Sequence, residues 1–153
     1  MDRSKDSELA IRPLKADDFD SVVQLDSRLL GGERRHEYWE KKFAVFRMRH
    51  PNLSLVATMD NHIVGCVMGN ISGWEFGVSA GTGWVELIGV DQEYRRKRVA
   101  AELIRELLVQ FATLNVKCVY TMFDSEDKSS REFFGTVGFK QGQMVQLEIS
   151  LDE

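Results

Sequence analysis

Trp84-Val85-Glu86-Leu87-Ile88-Gly89-Val90, followed by Asp91-Gln92-Glu93-Tyr94-Arg95-Arg96-Lys97-Arg98 and then Val99 through Leu114, is the stretch that decides the fold. Its first part is short, apolar and bounded by glycine, which is the pattern of a buried strand. Its last part is helical. Ala100, Leu103, Ile104, Leu107, Leu108 and Phe111 recur at the spacing of a single apolar helix face. Four cations stand between the two, just where a helix presents unpaired N–H groups and about half a positive charge. Acidic residues are favoured there and cations are not, so the cluster predicts an anion that completes the site. A strand running into a helix with bare first-turn amides is a phosphate cradle. The competing explanation, a solvated charge run, accounts less well for a position between a buried strand and an amphipathic helix.

The rest of the chain sets the frame. Its 153 residues fit one domain, expected over residues 9–153 behind a disordered tail at residues 1–8. A hydrophobic content of 43%, a charged content of 29% and a net charge of −4 describe a globular chain without the global basic field of a nucleic-acid binder. No apolar run has the length of a membrane helix, and the N-terminus lacks a signal-peptide core, so no membrane partner and a cytoplasmic location are expected. Cys66 and Cys118 sit in apolar strand-like runs and are expected to be buried and reduced. His36, His50 and His62 share no metal-ligand spacing with each other or with the cysteines, so no metal is expected.

Taken in order, Leu9–Pro13 reads as a strand, and a helix with Phe19, Val22, Val23 and Leu25 on one side starts at Asp17 or Asp18. Gly31-Gly32 ends it or forms the following loop. Arg35–Arg49 reads as a second helix with Trp39, Phe43 and Phe46 on a stripe that fits core packing. Leu53–Met59 and Ile63–Ile71 form a hairpin about Asp60-Asn61, both tolerant of positive φ. The glycine-rich segment from Ser72 to Gly83, with Trp74 and Phe76, reads as a loop of the kind that carries specificity. Lys117–Phe123 is a strand, Ser129–Val137 a short helix, and Gln143–Leu151 a closing strand with Val145, Leu147, Ile149 and Leu151 on one face. The result is α/β: a mixed sheet of about six to seven strands flanked by about four helices.

Two segments bring a family into view. Val90 through Ala100 resembles the acetyl-CoA signature of the GNAT superfamily of N-acetyltransferases, Arg/Gln-x-x-Gly-x-Gly/Ala after a Val-x-x-x-Tyr/Phe lead-in. Arg95 takes its first position and Ala100 its last. Arg98 stands where glycine is usual, and Arg96 where glycine is common. Asp127 through Phe139 resembles the family's Asn-x-x-Ala-x-x-x-Tyr-x-x-x-Gly-Phe segment, with Asp127, Ser130 and Phe134 at the Asn, Ala and Tyr places and Gly138-Phe139 matching outright. The order of elements is also that of the GNAT fold, so the resemblance covers nearly the whole chain.

The resemblance implies acetyl-CoA as acyl donor, released as CoA. Two splayed parallel strands, Ile88–Val90 and Thr121–Phe123, would take the pantetheine arm between them. Ile88, Gly89 and Val90 would hold it, with the N–H near Ile88 serving the oxyanion. Arg96, Lys97, Arg98, Val99, Ala100 and Ala101 would cradle the pyrophosphate by their amides, with the Arg95, Arg96 and Arg98 charges added. Asp127, Ser130 and Phe133 complete the cofactor set. The segment from Gly31-Gly32 to Trp39 would line an acceptor pocket.

The chemistry needs an amine freed of its proton and donors for the developing oxyanion. Glu86 is the first base candidate, because a carboxylate inside an apolar strand is desolvated. Asp124, just past the next strand, is the second; it also suits a cap or an anchor for an ammonium. Phe134 at the tyrosine place cannot give a proton, Tyr120 and Tyr94 read more as packing, and a thiol with a pKa near 8.5 leaves with little help. Neither cysteine sits in a nucleophile setting, so direct transfer to a primary amine of a small molecule, peptide or protein in a ternary complex is expected. A catalytically degenerate acyl-CoA-binding module is the main rival. Nucleic-acid contact by Arg95–Arg98 is the lesser one. A homodimer through the last strand or the glycine-rich loop fits the pattern.

Overall fold

The computed structural model describes residues 8–32, 35–49, 51–72, 75–77, 81–96 and 98–152. The chain divides into two units, Met1–Met122 and Phe123–Glu153. The first holds strands β1 (Ala10–Pro13), β2 (Ser54–Met59), β3 (His62–Ser72), β4 (Thr82–Val90) and β5 (Cys118–Thr121), with helices α1 (Phe19–Leu29), α2 (His36–Arg49) and α3 (Val99–Thr113). The second holds α4 (Lys128–Thr136).

The five strands form one sheet in sequence order. β1 to β4 are antiparallel neighbours and β5 lies parallel to β4. The β2–β3 hairpin turns on Asp60 and Asn61, at φ 51° and 61°, as their chemistry predicts.

The two faces of the sheet are covered differently. On one, α3 lies on a seat of glycines from two strands. A Cβ at Gly65 would come within 3.1 Å of Val99, one at Gly69 within 2.9 Å of Leu107, and one at Gly83 within 2.9 Å of Phe111. With no side chains in the way, Val99, Leu103, Ile104, Leu107 and Phe111 are all buried, each worth about 1.5–3 kcal/mol relative to exposure. On the other face, α1 and α2 bring Val22, Val23, Leu25, Trp39, Phe43 and Phe46 against Val56, Cys66 and Met68. The aromatic stripe of α2 is core.

Helix α1 stops at Gly31 and Gly32, both at positive φ. Two buried carboxylates tie this face together. Asp18 takes both Arg12 Nη atoms, at 2.7 and 2.9 Å, and Asp26 takes Arg35 Nε at 2.9 Å and Nη2 at 2.7 Å. Burial alone would raise both carboxyls, but the arginine hydrogen bonds and charges outweigh it and leave both below the usual range.

Several expectations need correction. The sheet has five strands, because Gln143–Leu151 forms none; its alternation is real, but among the described residues no strand pairs with it. β5 ends at Thr121 rather than Phe123. Cys66 is buried as expected, but Cys118 is exposed at the start of an edge strand, where an apolar neighbourhood in sequence is not matched by one in space. Residues 1–7, Lys97 and, in the glycine-rich loop, residues 73, 74 and 78–80 (Trp74 among them) lie outside the described residues. Among the described residues, no helix is long and apolar enough to cross a membrane.

Candidate active site

The site is built along β4, where the strand changes partners halfway. Its parallel ladder with β5 ends at Val85↔Thr121, a junction where Thr121 Oγ1 donates to the Val85 carbonyl at 3.0 Å. Among the described residues, Leu87 to Val90 pair only with β3, and from Glu86 on the edge toward β5 carries no strand partner. That leaves a row of main-chain N–H and C=O groups which an extended ligand can meet as an added strand would. Ile88, Gly89 and Val90 all lie on this open segment.

Glu86 is the residue at which β4 is irregular. Leu87 faces Met68 and Val85 faces Gly69, so Glu86 has no opposite number on β3. This is a β-bulge, an extra residue that reverses which face the following side chains take. The reversal is visible in the glycines. Gly83 lies under Phe111 of α3, whereas a Cβ at Gly89 would come within 2.5 Å of Leu29 of α1. Leu87 packs into the α1–α2 core. The bulge thus swings the second half of β4 toward α1 and turns Glu86 outward.

The desolvation expected at Glu86 is therefore corrected. Its side chain is 33% exposed and its Oε1 lies 3.3 Å from Nη1 of Arg49, the last residue of α2. Tyr38, in the first turns of α2, lies within electrostatic reach. Burial pushes the Tyr38 phenol above its usual value; Arg35, 4.6 Å from the ring centroid, works against this, and the Glu86 and Asp26 carboxylates add to it. Arg49 and Tyr38 were missed from sequence, where no motif marks them; they come to Glu86 only through the crossing of α2 and β4. Beside the same helices a cavity of about 400 Å³ is lined by Asp20, Val23, Gln24, Ser27, Arg28 and His36.

At the far end of β4, Asp91 N donates to Val64 O at 2.8 Å and the Asp91 carboxylate accepts from Arg28 Nε at 3.0 Å. The chain then makes one short turn, Gln92–Tyr94, and enters the cationic segment. Arg96 and Arg98 have φ of 66° and 62°. These are the two places where glycine is usual or common in the resembled signature, and the backbone keeps the left-handed conformation without the glycines. For a residue with a Cβ this costs about 1–2 kcal/mol.

Arg98 is the N-cap of α3 and places no side-chain hydrogen bond on the helix. The amides of Val99, Ala100 and Ala101 therefore open the helix with no side-chain cap. Arg95, Arg96 and Arg98 are exposed around them. Tyr94, the aromatic of the lead-in, donates to Asp60 Oδ2 at 3.4 Å. An uncapped helix start, three exposed arginines and an open strand edge fit a ligand that carries phosphates at one end and an amide-rich arm at the other.

In the second unit, the proposed cofactor residues are engaged with each other. Asp127 caps α4, accepting from Ser130 N at 3.0 Å and from Ser130 Oγ at 2.6 Å. Asp124 Oδ1 accepts from Glu126 N at 2.8 Å, the geometry of a turn-forming aspartate. Phe134 is buried among Phe123, Phe133 and Phe139, at centroid distances of 5.7, 5.1 and 5.2 Å. Phenylalanine at the tyrosine place is thus a packing residue of this unit.

No curated protein matches the chain in sequence. Among solved structures, the aminoglycoside acetyltransferase AAC(6')-Iy, in complex with the bisubstrate analogue CoA-S-monomethyl-acetylneamine, superposes with a TM-score of 0.79 at 18% identity, over 94% of this chain and 99% of that one. The 6'-N-acetyltransferase AAC(6')-Ih from Acinetobacter baumannii gives 0.76 at 16% identity, over 95% and 100%. Ard1 from Thermoplasma volcanium gives 0.72 at 19% identity, over 86% and 82%. At these identities the likeness is one of fold. The acetyltransferase (GNAT) family model matches residues 19–139, which take in the bulged strand, the cationic turn and α3, and the chain belongs to the GNAT family of acetyltransferases.

Proposed function

We propose that the protein is a cytoplasmic N-acetyltransferase that moves the acetyl group of acetyl-CoA to a primary amine by direct attack in a ternary complex. The observation that carries this reading is the coincidence, on one strand, of an open edge after Val85 and an uncapped helix start flanked by Arg95, Arg96 and Arg98. The amides of Val99, Ala100 and Ala101, with the three arginines, hold the diphosphate. Lys97 belongs to the same segment by sequence. The open edge at Ile88, Gly89 and Val90 binds the pantetheine arm, and the main-chain N–H near Ile88 stabilises the oxyanion. Bound there, acetyl-CoA supplies an activated acyl carbon.

Glu86 takes the ammonium proton, directly or through one water, since its carboxylate stands outward at the bulge and reaches solvent. The ion pair with Arg49 holds the carboxylate in place and opens to admit the amine. Asp124 is the second candidate base. Asp127, Ser130 and Phe133 are proposed as cofactor contacts on the strength of their segment's resemblance to the family's alone. The acceptor class is a small-molecule amine: the cavity beside α1 and α2 carries Asp20 and the rims of two polar helices, and the aminoglycoside enzymes share the fold.

Calorimetric titration with acetyl-CoA and with CoA, followed by a thiol-release assay over a panel of amines, tests this. Saturable binding of both, weakened at least about ten-fold (about 1.4 kcal/mol) in Arg95→Ala/Arg98→Ala, is expected. No binding of either ligand to the folded protein rejects the reading.

A further inference from the structure

Three arginine–carboxylate pairs of the first unit differ in kind. Arg12 meets Asp18 and Arg35 meets Asp26 with two hydrogen bonds each, at 2.7 and 2.9 Å, on carboxylates only 8 and 9% exposed. Forked, shielded pairs of this kind hold the fold and are closed to a ligand. Arg49 meets Glu86 through a single contact at 3.3 Å, and both side chains are 33% exposed. Among the described residues, the Arg49 guanidinium has no second acceptor. Most of its N–H donors are therefore open.

A cation in the last turn of a helix is ordinary, because it faces the negative end of the helix, and Arg47 stands there too. What sets Arg49 apart is its reach onto the bulge of β4, to the carboxylate that takes the acceptor's proton. An ammonium entering there finds Glu86 already neutralised. Asp26 offers no surplus either, since Arg35 holds both of its oxygens. Two guanidiniums, Arg35 and Arg49, thus stand against two carboxylates, and the balance gives a polycation no net attraction. An acceptor with an anion beside its amine fits better. Its anion takes the open donors of Arg49, its amine takes Glu86, and the four charges alternate.

We propose that Arg49 anchors a carboxylate on the acceptor, which is an α-amino acid. This rests on the acetyltransferase reading above and narrows its acceptor. Arg49 binds and orients, and exchanges no proton. The amine gives one proton to Glu86, its nitrogen bonds the acetyl carbon as the C–S bond breaks, and the second nitrogen proton leaves with the CoA thiolate.

Calorimetric titration of the CoA-bound protein with the standard α-amino acids and with their carboxamides tests this without turnover. A carboxamide keeps the amine and the side chain and lacks the charge; at about pH 6 the amine is protonated in both. At least one amino acid is expected to bind about ten-fold or more tighter than its carboxamide. That ratio should fall to within about two-fold in Arg49→Ala and partly return in Arg49→Lys, which restores the charge without the fork. A merely structural loss at Glu86 would weaken both ligands alike and leave the ratio unchanged. Steady-state kinetics on the same pairs should place the preference in KM rather than kcat. Carboxamides bound as tightly as amino acids overturn the proposal, as does a preference that survives Arg49→Ala. So does CoA binding with no binding of any amino acid. Failure of the underlying reading looks different: neither acetyl-CoA nor CoA binds, and the anchor falls with it.

Discussion

The two ends of β4 are made of different materials. At the Asp91 end, the proposed anion site would consist of main-chain amides in a left-handed turn and the start of a helix, with arginines around them. At the Glu86 end, the site consists of side chains: a carboxylate, the Arg49 guanidinium and the Tyr38 phenol, brought in by α2 and held by the Asp26–Arg35 pair. A main-chain site tolerates changes of residue as long as the conformation holds, and here Arg96 and Arg98 hold a left-handed conformation that glycine adopts more readily. A side-chain site has no such tolerance. The phosphate end should therefore yield gradually to substitution and the amine end abruptly.

The sharpest break expected is Glu86→Gln, which keeps the shape and removes the base. Turnover should fall about 10²–10⁴-fold while the acetyl-CoA dissociation constant stays within a factor of two or so; steady-state kinetics alongside calorimetry reads both. Equal losses in turnover and affinity would place Glu86 in the cofactor site instead.

Asp26→Asn tests the support of the amine end. Leaving the half-buried Arg35 without its carboxylate should cost about 1–3 kcal/mol of stability, read by denaturant unfolding. The carboxyl is held below its usual value in the folded chain. Its contribution is accordingly complete above the unfolded value near 4 and is lost as pH falls through the folded one. The gap between wild type and variant should close below about pH 4; a gap that persists there would mean the loss is one of packing.

Arg95→Ala/Arg98→Ala should weaken CoA about ten-fold or somewhat more, with a shallower salt dependence than wild type. An unchanged salt dependence would assign the binding to the amides alone. The smallest effect is expected for Arg98→Gly. Relief of the left-handed backbone should raise stability by about 1 kcal/mol even as one charge is lost, which thermal unfolding with and without CoA can separate. A decrease in stability would show that the Arg98 side chain anchors the turn.

Most of the first unit was legible in the sequence, because periodicity fixes what a strand or helix buries. The five α3 positions and the Asp60-Asn61 turn are examples. The bulge at Glu86 was not legible, since it exists only in the register between β4 and β3, and no residue of β4 announces it. The exposure of Cys118 escaped for a related reason: an apolar run says that a strand exists, not that it lies at the edge. The alternation of Gln143–Leu151 predicts a strand that the sheet does not contain, because a strand requires a partner edge as well as a pattern. The left-handed backbone at Arg96 and Arg98 was not legible, because arginine does not mark a position as one of positive φ in the way glycine does.

The glycine seat under α3 makes the sheet a ruler for the helix. Phe111 and Leu107 rest almost directly on backbone at Gly69 and Gly83, so the helix axis has no slack toward the sheet and its starting amides are set from about three turns away. A methyl group added at Gly83 would meet the Phe111 ring at 2.9 Å and tilt the far end of the lever. Mutational sensitivity in this protein should therefore run along the axis of α3 as well as around the ligand, and a residue in contact with no substrate can still decide how tightly a phosphate is held.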